Sequence, residues 1–138
     1  MFSCDTNVRI RYGETDQMGY VYYGRYAEFF EIGRTELIRK LGFAYRDLEA
    51  RGILLPVVSM QVKYIKPASY DDVITIRTTL RTLPTARITF FYEIYNGDGE
   101  LLNEAECHLV FTDIATRRPA RPPKDLMDAL SPYFPIKS

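Results

Sequence analysis

RYGETDQMGYVYYGRYAEFFEIGRTELIRKLG, residues 11–42, opens as a loop bounded by Gly13 and Gly19 and closes as a helix. From Gly24 to Leu41 the residues Tyr26, Phe30, Gly33, Leu37 and Leu41 recur at helical intervals, and Ala27 and Ile38 widen the stripe. Gly42 follows the last apolar residue, and Arg39 and Lys40 occupy the final turn, where the helix dipole favours positive charge. Tyr26, Phe29, Phe30 and Ile32 point around more than half of this helix, which predicts that a second chain covers part of it.

Outward from this segment the pattern turns to strands. Thr6–Tyr12 alternates, with Val8, Ile10 and Tyr12 on one face, and predicts a first strand. A short helix is expected over Tyr45–Arg51, ended by Gly52. Strands follow near Leu55–Ile65, Val73–Leu83, Arg87–Tyr95 and Leu101–Asp113, the last two joined by a turn at Asn96-Gly97-Asp98-Gly99. Thr116–Lys124 holds three prolines and four basic residues, so it reads as an extended surface arm before a brief helix at Lys124–Leu130. The order implies an α+β layer arrangement: a five-stranded, mostly antiparallel sheet with one long helix laid on it.

With 138 residues and no linker-like stretch, the chain is expected to form one domain over residues 1–138. Eighteen basic and eighteen acidic side chains cancel, so no overall field draws it to nucleic acid or to an anionic membrane. Two cysteines, Cys4 and Cys107, are too few for a disulfide-stapled domain and too far apart for a short metal-binding pair. They read as small apolar residues in a reducing compartment. The charged N-terminal stretch and the lack of a long apolar run predict a cytoplasmic protein without a membrane insertion.

A single histidine and no G-x-S-x-G exclude the usual hydrolase triad and nucleophile elbow. Phosphate loops, dinucleotide-binding glycine patterns and clusters of metal-ligating residues are also missing, so no metal or cofactor is expected. What remains is carboxylate and backbone-dipole chemistry. Asp16 sits in the glycine-bounded loop just before the helix start, where unpaired N–H groups can hold a carbonyl oxygen as it gains charge. A nearby carboxylate could then attack the carbon or activate water. A thioester suits such a site, because its thiolate departs without a strong general acid.

The pattern D-x-x-G-x-V-Y-Y at Asp16–Tyr23, closing in F-F-E-x-G-R-T-E at Phe29–Glu36, resembles hotdog-fold acyl-CoA thioesterases of the 4-hydroxybenzoyl-CoA thioesterase type. That group includes the bacterial thioesterases encoded beside the Tol-Pal system. The resemblance extends through Leu55-Pro56-Val57, YIKPASYDD at Tyr64–Asp72, and Leu109–Asp113 with its basic, proline-rich tail. It implies a hotdog fold, an acyl-CoA substrate, Asp16 as the catalytic aspartate, Gly19 as the loop glycine and Tyr23 as the residue whose backbone N–H polarises the carbonyl. It also implies a site between subunits, and hence a homodimer or homotetramer. Many relatives carry asparagine where this chain has Arg25.

Other residues have plainer readings. Taken alone, Asp16 would be a turn residue bonded to nearby amides, and Glu14 is the alternative carboxylate. The aromatic run Tyr20–Phe30 reads as core and interface. Glu31 with Arg34 or Thr35 reads as a helical pair. Arg117, Arg118, Arg121 and Lys124 offer either a grip for coenzyme A phosphates or solvated surface charge. His108 reads as a half-buried strand residue with no catalytic partner. The rival functions are a hotdog hydratase, for which no D-x-N-x-x-H pattern is present, and a non-catalytic acyl-CoA binder.

Overall fold

A computed structural model describes residues 1–135. In chain order the elements are β1 (Phe2–Arg9), α1 (Tyr26–Lys40), α2 (Tyr45–Ala50), β2 (Ile53–Leu54), β3 (Val57–Tyr64), β4 (Val73–Leu80), β5 (Arg87–Tyr95), β6 (Leu101–Val110), β7 (Thr112–Asp113) and α3 (Lys124–Leu130), with short 3-10 turns at Tyr12–Glu14, Tyr23–Arg25 and Ser131–Tyr133. Five strands form one sheet in the order β1-β4-β5-β6-β3, every neighbouring pair antiparallel. This is the α+β arrangement expected from the sequence, with α1 as the long helix.

Period-2 alternation turns one sheet face toward α1: Ile74, Ile76, Thr78 and Leu80 of β4, and Ile88, Phe90, Tyr92 and Ile94 of β5, are all buried. The helix answers with Tyr26, Phe29, Phe30, Gly33, Leu37 and Ile38. Gly33 marks the closest approach of helix and sheet. A Cβ there would collide with Thr78 Oγ1 and come within 2.9 Å of Ile76 Cγ2.

Four boundaries differ from the sequence reading. The first strand runs Phe2–Arg9 rather than Thr6–Tyr12, because its inward face continues back through Thr6 and Cys4 to Phe2. Ile10 is buried as expected, but Tyr12 lies in a 3-10 turn and is 79% exposed. The strand expected from Leu55 starts only at Val57, after Pro56, which has no N–H to give to a ladder, and Ile53–Leu54 before it pairs with Thr112–Asp113. That pairing also divides the expected last strand after Val110. The β4 strand ends at Leu80, short of Leu83.

The surplus apolar surface ascribed to α1 is not there. Tyr26, Phe29 and Phe30 are buried inside the protomer, and only Ile32 of that group is exposed. A run of exposed apolar residues lies instead on the edge strand and its end: Val57, Val58, Met60, Tyr64 and Ile65.

Candidate active site

Residues 11–25 fold back on themselves before α1 begins. The Asp16 N–H donates to Tyr20 O at 2.8 Å and the Gly19 N–H to Asp16 O at 3.0 Å, closing a tight turn. Gly19 sits at φ +79°, a conformation costly for any residue with a Cβ. Asp16 Oδ1 accepts from the amides of Met18 (2.8 Å) and Tyr20 (3.2 Å). Its second oxygen, Oδ2, has no intramolecular partner among the described residues. Asp16 is therefore the turn residue that its type suggests, with one carboxylate oxygen left over.

The loop is docked on the segment after β3. Val21 N–H donates to Ala68 O (2.9 Å) and Tyr70 N–H to Gly19 O (2.9 Å), and Tyr20 bridges to Ser69. The Tyr26 phenol, on the first turn of α1, accepts from Ala68 N–H at 3.3 Å. Burial raises its pKa, opposed by that backbone hydrogen bond. These contacts hold the loop against the start of the helix.

Asp16 and Tyr23 line one cleft of about 670 Å³, with Tyr20, Val21, Tyr22, Tyr26, Tyr64, Ile65, Lys66 and Pro67 completing its wall. Tyr64 packs between Tyr23 (ring centroids 4.9 Å apart) and Tyr26 (5.6 Å). The amides of Tyr23 and Gly24, at the start of the 3-10 turn leading into α1, have no acceptor among the described residues. Asp16, with one unpartnered carboxylate oxygen, and Tyr23, with an unpartnered amide, thus line the same cleft. That is the equipment for attack on, or activation of water toward, a carbonyl whose oxygen is held by N–H groups.

A family model described as the thioesterase-like superfamily matches residues 10–130. The chain belongs to that superfamily. It is 35% identical over 120 residues, 87% of this chain and 90% of the other, to the acyl-CoA thioester hydrolase YbgC of Escherichia coli O157:H7. In structure it is similar to the DHNA-CoA thioesterase of Staphylococcus aureus (TM-score 0.84, 36% identity, 97% of this chain and 85% of that one). It is also similar to the 4-hydroxybenzoyl-CoA thioesterase of Pseudomonas sp. strain CBS-3 (TM-score 0.83, 26% identity, 94% and 99%). The hotdog fold expected from the loop-and-helix motif is the fold of this superfamily member.

Among the other expected residues, Glu14 is buried, and its carboxylate accepts from the Arg11 amide (2.7 Å) and Arg11 Nε (3.4 Å). It does not line the cleft. Arg25 crosses the loop, donating to Glu28 Oε1 (3.0 Å) and Gly13 O (3.4 Å). Arg117, Arg118 and Arg121 are exposed on the arm after β7 and are not among the cleft residues; the cation in the cleft wall is Lys66, which sequence reasoning missed. Lys66 pairs with Glu100. Its signal was present in YIKPASYDD, where a lysine follows the edge strand closely, but nothing local announces that it joins the wall of the cleft that Asp16 lines.

Two other readings change. Glu31 and Arg34 make no ion pair; the helical pairs on α1 are Arg25–Glu28 and Glu36–Arg39. His108 is half-buried in β6 as expected, but it has partners: Nδ1 lies 2.9 Å from Thr89 Oγ1 and Nε2 lies 2.8 Å from Glu106 Oε2. Cys107 is buried and Cys4 partly so, both free thiols. No helix among the described residues is long and apolar enough to cross a membrane.

Proposed function

We infer that the protein is an acyl-CoA thioesterase in which Asp16 is nucleophile or general base and the Tyr23 N–H, at the start of the helix, polarises the thioester carbonyl. The observation that supports this most is the single cleft shared by Asp16 and the unpartnered Tyr23 amide. In the general-base route, Asp16 takes a proton from water as the oxygen adds to the carbonyl carbon, and the tetrahedral intermediate expels coenzyme A as thiolate. In the nucleophilic route, Asp16 itself displaces the thiolate to give a mixed anhydride that water then opens. Either way the products are a free carboxylic acid and coenzyme A. Gly19 serves by allowing the turn that presents Asp16.

The active form is proposed to be a homodimer or a homotetramer. The apolar edge strand β3 ends at the cleft wall, so a second copy paired along that edge would cover Val57, Val58 and Met60 and close the site. The exposed arm of Arg117, Arg118 and Arg121 is the basic surface offered to the phosphates of coenzyme A.

The test is free-thiol release from a panel of short, aromatic and long acyl-CoA thioesters, native protein against Asp16→Asn. Cleavage by the native protein alone supports the assignment. Binding without cleavage by either form would make the protein a non-catalytic acyl-CoA binder.

A further inference from the structure

Residues 14–22 fold as a small hairpin with Asp16 near its tip. Thr15 and Val21 form an antiparallel bridge, the Asp16 N–H donates to Tyr20 O (2.8 Å), and at the base the Tyr22 N–H donates to Glu14 O (3.2 Å). Asp16 belongs to one leg, and Tyr23 follows directly on the other. Whatever holds the base of the hairpin therefore sets the offset between the carboxylate and the Tyr23 amide. Glu14 holds it twice. Its carbonyl takes the opposite leg through Tyr22, and its buried carboxylate accepts the Arg11 N–H at 2.7 Å, closing the 3-10 turn Tyr12–Glu14 in a capping box. The Tyr12 carbonyl of that turn in turn receives the Thr15 N–H (3.1 Å) and Thr15 Oγ1 (2.7 Å), so the turn runs straight into the Asp16 leg.

A buried carboxylate is costly, and the ion pair here does little to offset it: the Arg11 side chain is 80% exposed and its Nε stands 3.4 Å from Glu14 Oε1. The short bond to the Arg11 amide is the use to which the carboxylate is put. We propose that Glu14 is a positioning residue for the Asp16 site: it is not among the residues lining the cleft, and it acts by fixing where the Asp16 carboxylate stands relative to the Tyr23 N–H. The proposal rests on the thioesterase reading above. Misplacing reacting groups by about 1 Å can cost about a hundredfold in rate, so a loosened hairpin base should slow the chemistry and leave thioester binding alone.

Two variants of similar length separate this role from a merely structural one. Glu14→Met fills the buried space without an acceptor, and Glu14→Gln keeps an oxygen for the Arg11 N–H. Both are assayed as full chains on the acyl-CoA that the native protein cleaves best, alone and in the Asp16→Asn background. Glu14→Met should lower kcat at least about tenfold, and Glu14→Gln should recover most of that loss. The Kd for the thioester, measured in the Asp16→Asn background, should change by less than about threefold on adding Glu14→Met, and residual turnover there should fall by no more than about threefold, because Glu14 acts through Asp16. If Glu14→Met does not fold, Glu14→Ser carries the same test. The proposal is overturned if the folded variant without an acceptor keeps kcat within about threefold of native, if Glu14→Gln is no better, if affinity is lost in place of turnover, or if the loss is equal in the two backgrounds. A native chain that cleaves no ester of the panel overturns the thioesterase reading and this proposal with it; turnover that needs Asp16 but not Glu14 overturns this proposal alone.

Discussion

The middle and the start of α1 are built to opposite specifications. Around Phe29, Phe30, Gly33 and Leu37 the helix is fully enclosed, Phe30 packed at a tilt against Tyr92 with ring centroids 4.7 Å apart. Before its first turn, Tyr22 and Tyr23 are 61% and 68% exposed, the amides of Tyr23 and Gly24 have no acceptor, and Asp16 faces solvent with a spare oxygen. The packed half fixes where the helix lies. The open half keeps polar groups unspent, which is what chemistry requires and what folding alone would remove. If this division is right, substitutions in the middle should act on stability and those at the start on turnover.

The largest stability effect is expected in the middle. Phe30→Ala should cost about 3–5 kcal/mol in denaturant unfolding, since the ring is wholly buried and the sheet cannot close over the gap. A smaller loss would mean that helix and sheet repack more freely than their interdigitation suggests. Gly19→Ala sits at the boundary between the two regions. It should lose only about 1 kcal/mol of stability, from the left-handed backbone at φ +79°, yet reduce kcat by more than that strain alone, because the Asp16 turn must shift. Equal losses in the two measurements would show that the turn does not present the carboxylate.

The least effect concerns pH. Burial raises the Tyr26, Tyr45 and Tyr92 phenols, so the folded state holds their protons more tightly than the unfolded chain does. Their contribution is complete below the ordinary tyrosine value near 10 and is lost as the pH climbs beyond it. Thermal melts from pH 7 to 11 should therefore fall above about pH 10, and Tyr92→Phe should flatten part of that fall. Because the Tyr92 hydroxyl has no hydrogen-bond partner, the variant should cost little at neutral pH.

Much of this was legible before any coordinates. The 3.6-residue stripe from Tyr26 to Leu37, the alternation in β4 and β5, and the Asn96–Gly99 turn rest on local periodicity, and each stands. The motif from Asp16 to Tyr23 singled out two residues that the structure places on the wall of one cleft. What escaped depends on neighbours distant in sequence. Pro56 delays the start of a strand, and nothing local shows that Ile53–Leu54 before it pairs with Thr112–Asp113. Arg34 looks like a partner for Glu31 on a helical wheel, yet it turns toward Tyr45 and Tyr92. Phe29 and Phe30 looked like surplus because the residues that bury them come from parts of the chain distant in sequence. Lys66 reaches the cleft for the same reason: it is brought there by tertiary folding.

Asp16→Asn is the most direct measurement, because amide for carboxylate preserves Oδ1 as an acceptor for Met18 and Tyr20 while it removes the charge and turns the spare oxygen into an NH2 donor. For an acyl-CoA that the native protein cleaves, turnover should fall by about a thousandfold or more while the affinity for uncleaved thioester stays within about threefold. Turnover retained within about tenfold of native would contradict the assignment of Asp16 as the reacting carboxylate.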